Sequence, residues 1–235
     1  MKASTPGGVA VVTGAASGIG AAVAVELADR GWTVAGLDLS WAPGCAWSAE
    51  VDMSDAVAVH AAVASVEEQL GPVTAAVSAA GYYEMLAVTD ISAAAWDRML
   101  RVHLGGLVNL SRAVLPGMLE RRSGSVVAIT SELAVGGGAE DAHYAAAKGA
   151  IIGLVRSLAA EVAADGVRVN GVAPGPTDTP LLAPDSPWRA PEYLATLPLG
   201  RLGSPEEVAL CVAYLVDEGD FCVGEILNPN AGAVI

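Results

Sequence analysis

Tyr144 and Lys148 place a phenol and an ammonium group four residues apart in the segment YAAAK. Side chains with this spacing lie on one face of a helix. A cation near a phenol favours the ionised form of the phenol, so the pair is a candidate for acid–base chemistry. The same spacing is common by chance, and taken alone it is better explained as an exposed tyrosine beside a lysine.

Ser131 lies upstream of this pair, directly after the apolar run 125–130. That run is predicted to be a strand, and the ligands of open α/β sheets bind outside the carboxyl ends of the strands. Ser131 therefore places a hydroxyl group where the sheet is expected to open toward a ligand.

The segment TGAASGIG, residues 13–20, follows the first apolar run and opens a predicted helix. Its glycines at positions 14, 18 and 20 allow a tight turn and a close approach to a pyrophosphate, whose charge the helix N-terminus stabilises. An ordinary strand-to-helix turn could carry the same three glycines. Asp38, at the end of the second apolar run, favours a nucleotide site because its carboxylate can accept hydrogen bonds from a ribose diol.

The type of nucleotide follows from the charges expected around Asp38. Its carboxylate would repel a 2′-phosphate. Neither residues 15–17 nor Leu39 and Ser40 supply a Lys or Arg that could offset this repulsion. We therefore predict that the cofactor is NAD rather than NADP.

Short apolar runs alternate with helical patterns along the chain. The predicted strands are Val9–Thr13, 33–37, Val73–Ser78, 125–130, Val167–Val172 and 225–227, and the predicted helices are 54–70, 92–121, 143–164 and one that begins at Ser204. The stretch 92–121 is long enough for one bent helix or two, with Gly105 and Gly106 as the weak point. Apolar runs without alternation are typical of strands covered on both faces. The pattern predicts an α/β fold with a doubly wound parallel sheet, in a single domain over residues 1–235.

Residues 177–198 interrupt this alternation. The segment is rich in proline, has few periodic positions and is too long for a plain turn. Loops of this length in compact domains are usually functional. We predict that it forms a lid over a small-molecule substrate.

Composition and charge exclude several classes of protein. The 12 Lys and Arg residues against 26 Asp and Glu give a net charge of −14, so nucleic acids and membrane surfaces are poor partners. No apolar run is long enough to span a bilayer, and the N-terminus MKASTPGG lacks the apolar core of a signal peptide. The three cysteines show no CxxC spacing and do not cluster with the three histidines, which indicates a reducing compartment and no metal site. We predict a cytoplasmic location.

Four motifs together resemble the short-chain dehydrogenase/reductase family. They are TGAASGIG, the combination of Ser131 with YAAAK, NGVAPG at 170–175, and PLGRLGSPEEV at 198–208. The likeness extends over essentially the whole chain, and in broad terms the chain is similar to the 3-oxoacyl reductases of the family. It implies a Rossmann-type fold, an NAD-dependent oxidoreductase that interconverts a secondary alcohol and a ketone, and a homotetramer.

The resemblance also implies roles for the three polar residues. Tyr144 would exchange a proton with the substrate oxygen while hydride moves to or from the nicotinamide. Its pKa of about 10 would have to fall to about 7 for work near neutral pH, which requires roughly 4 kcal/mol. Lys148 and the oxidised nicotinamide would supply the positive charge for this, and Lys148 would also hold the nicotinamide ribose. Ser131 would hydrogen-bond the carbonyl or alkoxide oxygen.

The cofactor residues follow from the same resemblance. Asp52 would meet the adenine amino group, Met53 would add a backbone contact, and Thr179 would bind the nicotinamide carboxamide. The full predicted set is Thr13, Gly14, Ser17, Gly18, Ile19, Gly20, Asp38, Asp52, Met53, Ala80, Gly81, Tyr144, Lys148, Pro174, Gly175, Thr177 and Thr179. The residues expected to shape the substrate pocket are Tyr82, Tyr83, Glu132 and Leu133.

The chain departs from the family pattern at residues 78–81, which read SAAG where the family usually has Asn-Asn-Ala-Gly. The missing amides would remove hydrogen bonds between neighbouring strands, while Gly81 still allows the adenosine ribose to approach. We interpret this as a structural change without loss of cofactor binding.

His103 stands where the family usually has a fourth catalytic residue. That residue is an asparagine, which bends the helix and holds a water for proton transfer to the lysine. An imidazole could rebuild this relay, with a pH dependence that an amide lacks. Equally, His103 could be a neutral histidine packed in the bend near Gly105. A third interpretation is that turnover is impaired.

Two other functions remain open at this stage. The short stretch between Asp38 and Asp52 and the segment PGPTDT at 174–179 also resemble dihydrodiol dehydrogenases of the same family, which aromatise a ring diol. The alternative from a different class is a dinucleotide-binding protein with little turnover, and His103 is its only support.

A homotetramer of this family would pair the long central helices of neighbouring subunits. Small side chains allow two helices to approach closely, and the residues expected to do so are Ala145, Ala146, Ala147, Gly149 and Ala150. The apolar tail 231–235 is likewise expected to lie in an interface.

Overall fold

A seven-stranded parallel sheet forms the centre of the molecule, in the strand order β3-β2-β1-β4-β5-β6-β7. The computed structural model describes residues 7–234, so residues 1–6 of the predicted domain and Ile235 of the predicted interface tail lie outside the described residues. The strands are β1 Val9–Thr13, β2 Thr33–Asp38, β3 Trp47–Glu50, β4 Val73–Ser78, β5 Gly124–Ile129, β6 Val167–Val172 and β7 Ile226–Leu227. The predicted fold class is confirmed.

Helices cover both faces of this sheet. Within residues 7–234 the α-helices are α1 Gly18–Asp29, α2 Ala56–Leu70, α3 Ala93–Leu100, α4 Gly106–Arg121, α5 Leu133–Gly136, α6 Ala142–Val162, α7 Pro191–Leu194 and α8 Pro205–Asp217. A π-helical turn, Arg101–Gly105, joins α3 to α4, and 3-10 turns cover Ala163–Asp165 and Pro187–Arg189.

Two apolar layers explain why the strand sequences are continuously hydrophobic. In β1, Val9 and Val11 point into the layer that contains α2, α4 and α6, whereas Ala10 and Val12 point into the layer that contains α1 and α8. Successive side chains of a strand leave opposite faces of the sheet. Because both faces are covered, every position of β1 is buried, and no polar alternation is possible.

Strand β3 is missing from the strands predicted by the apolar pattern. Its sequence WSAE is only partly buried and lies at the edge of the sheet, where it pairs with β2 alone. An edge strand of this kind needs no continuous apolar run. The four-residue helices α5 and α7 were also not predicted, because they are too short to show a helical period.

The helical stretch predicted over 92–121 forms two helices with a bend between them. The bend is the π-helical turn Arg101–Gly105, so His103 lies in it. The predicted weak point at Gly105 and Gly106 is where this turn passes into α4. A Cβ on Gly106 would lie 3.2 Å from the Met53 Cβ, so the glycine allows the start of α4 to approach the segment after β3.

The small residues of α6 do not all face outward. Ala147 is fully buried within its own chain, so the expectation that it contacts another subunit is wrong. Ala146 is exposed and remains available for such a contact. Periodicity assigns a residue to a helix, but the packing of the fold decides which side of that helix is covered.

Thr13 ties β1 to the segment that follows β4. Its Oγ1 accepts hydrogen bonds from the backbone N–H groups of Ala79 and Ala80, both at 3.1 Å. The threonine side chain is fully buried. The Thr13 hydroxyl therefore links the end of β1 to the SAAG segment after β4. This is the segment that lacks the two asparagines of the pattern that the sequence otherwise resembles.

We predict that Thr13→Val lowers the free energy of unfolding by about 2 kcal/mol, because the variant keeps the shape of the side chain but leaves two N–H groups without their acceptor. Thr13→Ser keeps the hydroxyl and serves as the control, with most of the stability retained. Urea unfolding followed by circular dichroism measures both variants. Equal losses of stability in the two would contradict the role assigned to the hydroxyl.

Candidate active site

One cavity lies at the carboxyl edge of the sheet, and its walls hold the predicted catalytic and cofactor-binding residues with the exception of Thr13. These residues are far apart in the chain, yet they follow successive strands. Since the carboxyl ends of parallel strands meet at one edge, the segments after β1 to β6 converge there. Thr13 supports the cavity from behind through its bonds to residues 79 and 80.

The turn from β1 to α1 has the shape that a pyrophosphate site requires. Gly14 and Gly18 adopt positive φ angles of 71° and 54°, and a Cβ on Gly20 would lie 2.0 Å from the Gly14 carbonyl oxygen. L-residues with a side chain rarely adopt these angles. The first turn of α1 carries neither an acidic side chain nor a side-chain cap. Its N–H groups are therefore available to an anion, and the segment fits a dinucleotide.

Asp38 lines the cavity and is held by two backbone N–H groups. Its Oδ2 accepts a hydrogen bond from the Ala16 N–H at 3.0 Å, and its Oδ1 accepts one from the Ser40 N–H at 3.2 Å. The two bonds orient the carboxylate at the end of β2. Among the described residues that line the cavity, the cations are Arg98 and Lys148, and no ion pair joins either of them to Asp38.

Ser131, Tyr144 and Lys148 come together between β5 and α6. Ser131 follows the end of β5, and Tyr144 lies in the first turn of α6. The Lys148 ammonium donates to the Ile129 carbonyl at 2.9 Å, and the Thr130 hydroxyl donates to the Lys148 carbonyl at 2.8 Å. These bonds fix α6 against the strand end. All three predicted catalytic side chains are buried and line the same cavity.

The protonation states of this group differ from the sequence-based expectation. Burial raises the pKa of the Tyr144 phenol, the charge of Glu132 raises it further, and a hydrogen bond with Ser131 lowers it. Burial also lowers the pKa of Lys148 to about 7. The apolar wall that brings the two groups together disfavours charge on both, so the expected fall in the pKa of Tyr144 would need the positive charge of the nicotinamide as well as Lys148.

His103 packs against residues 81–82 through one nitrogen. Its Nε2 lies 2.8 Å from the Tyr82 carbonyl oxygen and 3.3 Å from the Tyr82 nitrogen. The shorter contact is to an acceptor, so we assign the proton to Nε2, which leaves a lone pair on Nδ1. Nδ1 is buried and has no hydrogen-bond partner.

The imidazole is uncharged in this position. Burial and the neighbouring Lys148 ammonium lower the pKa of His103 to about 3. The expectation that His103 brings a pH dependence into the neutral range is therefore wrong, since the ring does not charge there. The ring packs edge-on to Tyr144 with 5.5 Å between centroids, as the interpretation of a neutral, packed histidine requires. The neutral Nδ1 can still accept a hydrogen bond at the cavity wall.

A chain of hydrogen bonds connects the segment 177–198 to the start of α6. The Trp188 indole N–H donates to the Tyr83 hydroxyl at 2.9 Å, and the Tyr83 hydroxyl donates to Asp141 Oδ1 at 2.7 Å. Asp141 precedes α6 and is fully buried. The sequence analysis did not identify Asp141 or Trp188, because no local pattern shows that residues so far apart in the chain are in contact.

Comparisons with known proteins cover nearly the whole chain. A family model described as enoyl-(acyl carrier protein) reductase matches residues 14–233. The 3-oxoacyl-(acyl-carrier-protein) reductase of Thermotoga maritima is 33% identical over 243 residues, which covers 97% of this chain and 98% of that protein. The cis-4-hydroxycyclohexanecarboxylate dehydrogenase of Sinomonas cyclohexanicum is 39% identical over 237 residues, which covers 95% of each.

The fold has an equally extensive match among solved structures. The ligand-free aldohexose dehydrogenase of Thermoplasma acidophilum matches with a TM-score of 0.89 and 30% identity, which covers 95% of this chain and 92% of that one. The chain belongs to the short-chain dehydrogenase/reductase family. The resemblance seen in the motifs is thus confirmed, and the protein is an oxidoreductase of a family that binds a nicotinamide dinucleotide.

The named relatives differ in the compounds their names give: an acyl group on a carrier protein, a hydroxylated cyclohexanecarboxylate and an aldohexose. Membership of the short-chain dehydrogenase/reductase family therefore leaves the substrate to be argued from the pocket.

Over residues 7–234, no helix combines the length and hydrophobicity that a bilayer crossing needs, and no cluster of His, Cys, Asp or Glu could hold a metal ion.

Gly81 and His103 provide a direct test of the packing at the bend. A Cβ on Gly81 would lie 2.3 Å from His103 Cε1, so Gly81→Ala should displace the ring and lower the free energy of unfolding by about 1–3 kcal/mol. In a His103→Asn background the shorter side chain leaves room, so the same change should cost less. Urea unfolding of the two single variants and the double variant measures the coupling.

Gly153→Ala is the matched control for this experiment. Gly153 lies in α6 with nothing near the position of an added Cβ, so the change should raise helix stability by up to about 1 kcal/mol. If Gly81→Ala costs the same with and without His103, the contact between residue 81 and the ring does not set the geometry of the bend.

Proposed function

We propose that this protein is an NAD-dependent oxidoreductase that interconverts a secondary alcohol and a ketone by hydride transfer, with Tyr144 as acid and base. The observation that carries the proposal is the meeting of Ser131, Tyr144 and Lys148 in one cavity that also contains Asp38. The similarity to 3-oxoacyl reductases makes 3-oxoacyl thioesters the first substrates to test.

The residues of this cavity fit a dinucleotide along its length. The N–H groups at the start of α1 would bind the pyrophosphate, Asp38 would accept hydrogen bonds from the adenosine ribose, and Lys148 would hold the nicotinamide ribose. When bound, the nicotinamide supplies the hydride donor or acceptor and, in its oxidised form, a positive charge. Among residues 7–234, no cation is ion-paired with Asp38, which supports NAD over NADP because an unpaired carboxylate repels a 2′-phosphate.

Tyr144 and Ser131 act on the substrate oxygen. In reduction, Tyr144 donates its proton to that oxygen, and the Ser131 hydroxyl stabilises the negative charge that develops there. The raised pKa of Tyr144 suits this direction, since it keeps the phenol protonated. In oxidation the phenol must lose its proton first. Because burial disfavours a lone phenolate as well as a lone ammonium, Tyr144 and Lys148 are more stable when they carry opposite charges together.

A cyclic alcohol or a dihydrodiol is the second candidate substrate. Tyr82, Tyr83 and Trp188 line the cavity, and their flat apolar faces suit a ring. The similarity to a dehydrogenase named for a hydroxylated cyclohexanecarboxylate agrees with this candidate. Initial rates with NAD⁺ and ring diols, compared with rates for 3-oxoacyl thioesters and NADH, distinguish the two substrate classes.

A homotetramer in the cytoplasm completes the proposal. The exposed small side chain of Ala146 on α6 supports a close contact between helices of two subunits. The three cysteines are free thiols, which suits a reducing compartment.

Tyr144→Phe tests the assignment of the acid and base. The variant keeps the ring but removes the hydroxyl, so turnover should fall by about 10²–10⁴-fold while NAD binding stays nearly unchanged. Coupled measurements of reduced-nicotinamide absorbance and of NAD affinity by fluorescence check both statements. Tyr214→Phe, on the exposed side of α8, is the control. Turnover that survives in Tyr144→Phe would refute the assignment, whereas NAD binding without turnover in the wild type would favour a low-turnover binding protein.

Asp38→Ala tests the preference for NAD. Loss of the carboxylate removes an acceptor for the ribose and the repulsion of a 2′-phosphate, so NAD binding should weaken about tenfold and the advantage of NAD over NADP should narrow. Titration of intrinsic fluorescence with each cofactor gives the two dissociation constants. Asp90→Ala, outside the cavity, is the control. An unchanged ratio of the two constants would contradict the role of Asp38.

A further inference from the structure

Glu132 is a carboxyl group buried in the wall of the proposed active site. It follows Ser131 in the chain, lines the cavity and is 7% exposed. Its backbone is in the N-cap position of α5, yet its side chain caps no helix N–H group. The carboxyl instead contacts Ser131, with 3.2 Å between Glu132 Oε2 and Ser131 Oγ.

The hydroxyl of Ser131 has one proton and two lone pairs to distribute. The Leu133 backbone N–H donates to Oγ at 3.2 Å and so occupies one lone pair. If Glu132 is ionised, it can only accept, and the Ser131 proton is directed to the carboxylate. If Glu132 is protonated, its O–H can donate to the second lone pair of Oγ. The Ser131 proton is then released from the carboxyl and can point into the cavity, toward the substrate oxygen or toward Tyr144, which also hydrogen-bonds Ser131.

We infer that Glu132 is a positioning residue for catalysis: its protonated carboxyl donates a hydrogen bond to Ser131 and thereby directs the Ser131 proton to the substrate oxygen, whereas the ionised carboxylate takes that proton away. The inference rests on the proposed function, because it assigns Ser131 to the substrate oxygen. Glu132 exchanges no proton with the substrate. It acts only through the orientation of the serine hydroxyl.

The surroundings of Glu132 keep its two forms close in free energy near neutral pH. The pKa of the carboxyl is raised to about 7, because burial and, to a smaller extent, the charge of Asp141 outweigh the hydrogen bonds from its own backbone N–H and from Ser131. Tyr144 on α6 and Tyr193 on α7 also face it, since the charge of Glu132 raises the pKa of both phenols. Among the described ion pairs, none joins Glu132 to a cation, so its ionised form is favoured by the two hydrogen bonds from its backbone N–H and from Ser131 and by no ion pair.

An ionised Glu132 should slow both directions of the reaction. Alcohol oxidation and ketone reduction pass through the same transition state, in which the substrate oxygen carries partial negative charge. In that state the carboxylate removes one hydrogen-bond donor from the oxygen and adds a negative charge beside it. The loss should therefore appear as a decline in kcat/KM for ketone reduction as pH rises through the neutral range, whereas in alcohol oxidation it opposes the gain from deprotonation of Tyr144.

Glu132→Gln is the variant that tests the inference. The glutamine amide can donate to Ser131 at every pH, so kcat/KM for ketone reduction should lose the part of the expected wild-type decline between pH 6 and pH 8.5 that Glu132 causes. Any contribution of Lys148, whose pKa burial lowers to about 7, is present in both proteins. At the upper end the variant should exceed the wild type by about tenfold. The pKa of Tyr144 is raised well above this range, so its phenol stays protonated in both proteins. Glu132→Leu has no donor, and its kcat/KM at pH 6 should be about tenfold below that of the wild type.

Glu68→Gln is the matched control, because Glu68 lies exposed on α2 and outside the cavity. It should reproduce the wild-type pH profile. A profile of Glu132→Gln that coincides with that of the wild type would overturn the inference. So would equal activity of the Gln and Leu variants at pH 6. If the wild type turns over no substrate although it binds NAD, the proposed function fails, and the inference falls with it.

Thermal unfolding gives a second measurement that needs no substrate. The folded pKa of Glu132 is raised, so its contribution to stability is full below its unfolded pKa of about 4.5 and is lost as pH rises to about 7. Glutamine does not titrate. The melting temperature of Glu132→Gln, relative to that of the wild type, should therefore increase between pH 5 and pH 8. A constant difference would show that Glu132 does not change protonation in this range, and the inference would be refuted.

Discussion

The exclusion of water from the wall that holds Tyr144 and Lys148 governs the chemistry of the site. Burial raises the pKa of the phenol and lowers that of the ammonium, because a charge in an apolar wall lacks the solvation that water provides. Neither group ionises easily alone. Ionisation is therefore linked to charges that arrive with the ligands, and the protein by itself holds Tyr144 as an acid. The buried carboxyl of Glu132 follows the same rule, since burial raises its pKa until the neutral and ionised forms are close in free energy near pH 7.

The geometry of this wall depends on hydrogen bonds between elements that are distant in the chain. The Thr130 hydroxyl donates to the backbone of Lys148, and the Lys148 ammonium donates to the backbone at the end of β5. These two hydrogen bonds fix the face of α6 that carries Tyr144. The bonds from Trp188 to Tyr83 and on to Asp141 connect the segment 177–198 to the first turn of the same helix. Because both sets of bonds reach the N-terminal half of α6, this one helix positions Tyr144 and the part of the segment 177–198 that lines the cavity.

Much of the fold follows from local pattern. Every residue of β1 is apolar or small, and the structure buries each of them on one of two covered faces, as a doubly wound sheet requires. Pattern fails where burial is partial, as in β3, or where an element is a single turn, as in α5. The division of 92–121 at a π-helical turn was indicated by Gly105 and Gly106. The contact of the His103 ring with Gly81 was not indicated by the sequence, because the two residues lie in segments that are separate in the chain.

The sequence by itself determined the order of the apolar strands and the longer helices, and most of the residues that meet at the carboxyl edge of the sheet. Those properties depend on side-chain type and spacing, which are local. Only the tertiary structure decided that Tyr144 and Lys148 resist ionisation, that His103 is neutral and that Glu132 faces Ser131. These properties depend on desolvation and on contacts between distant segments, and both exist only after the elements have packed together.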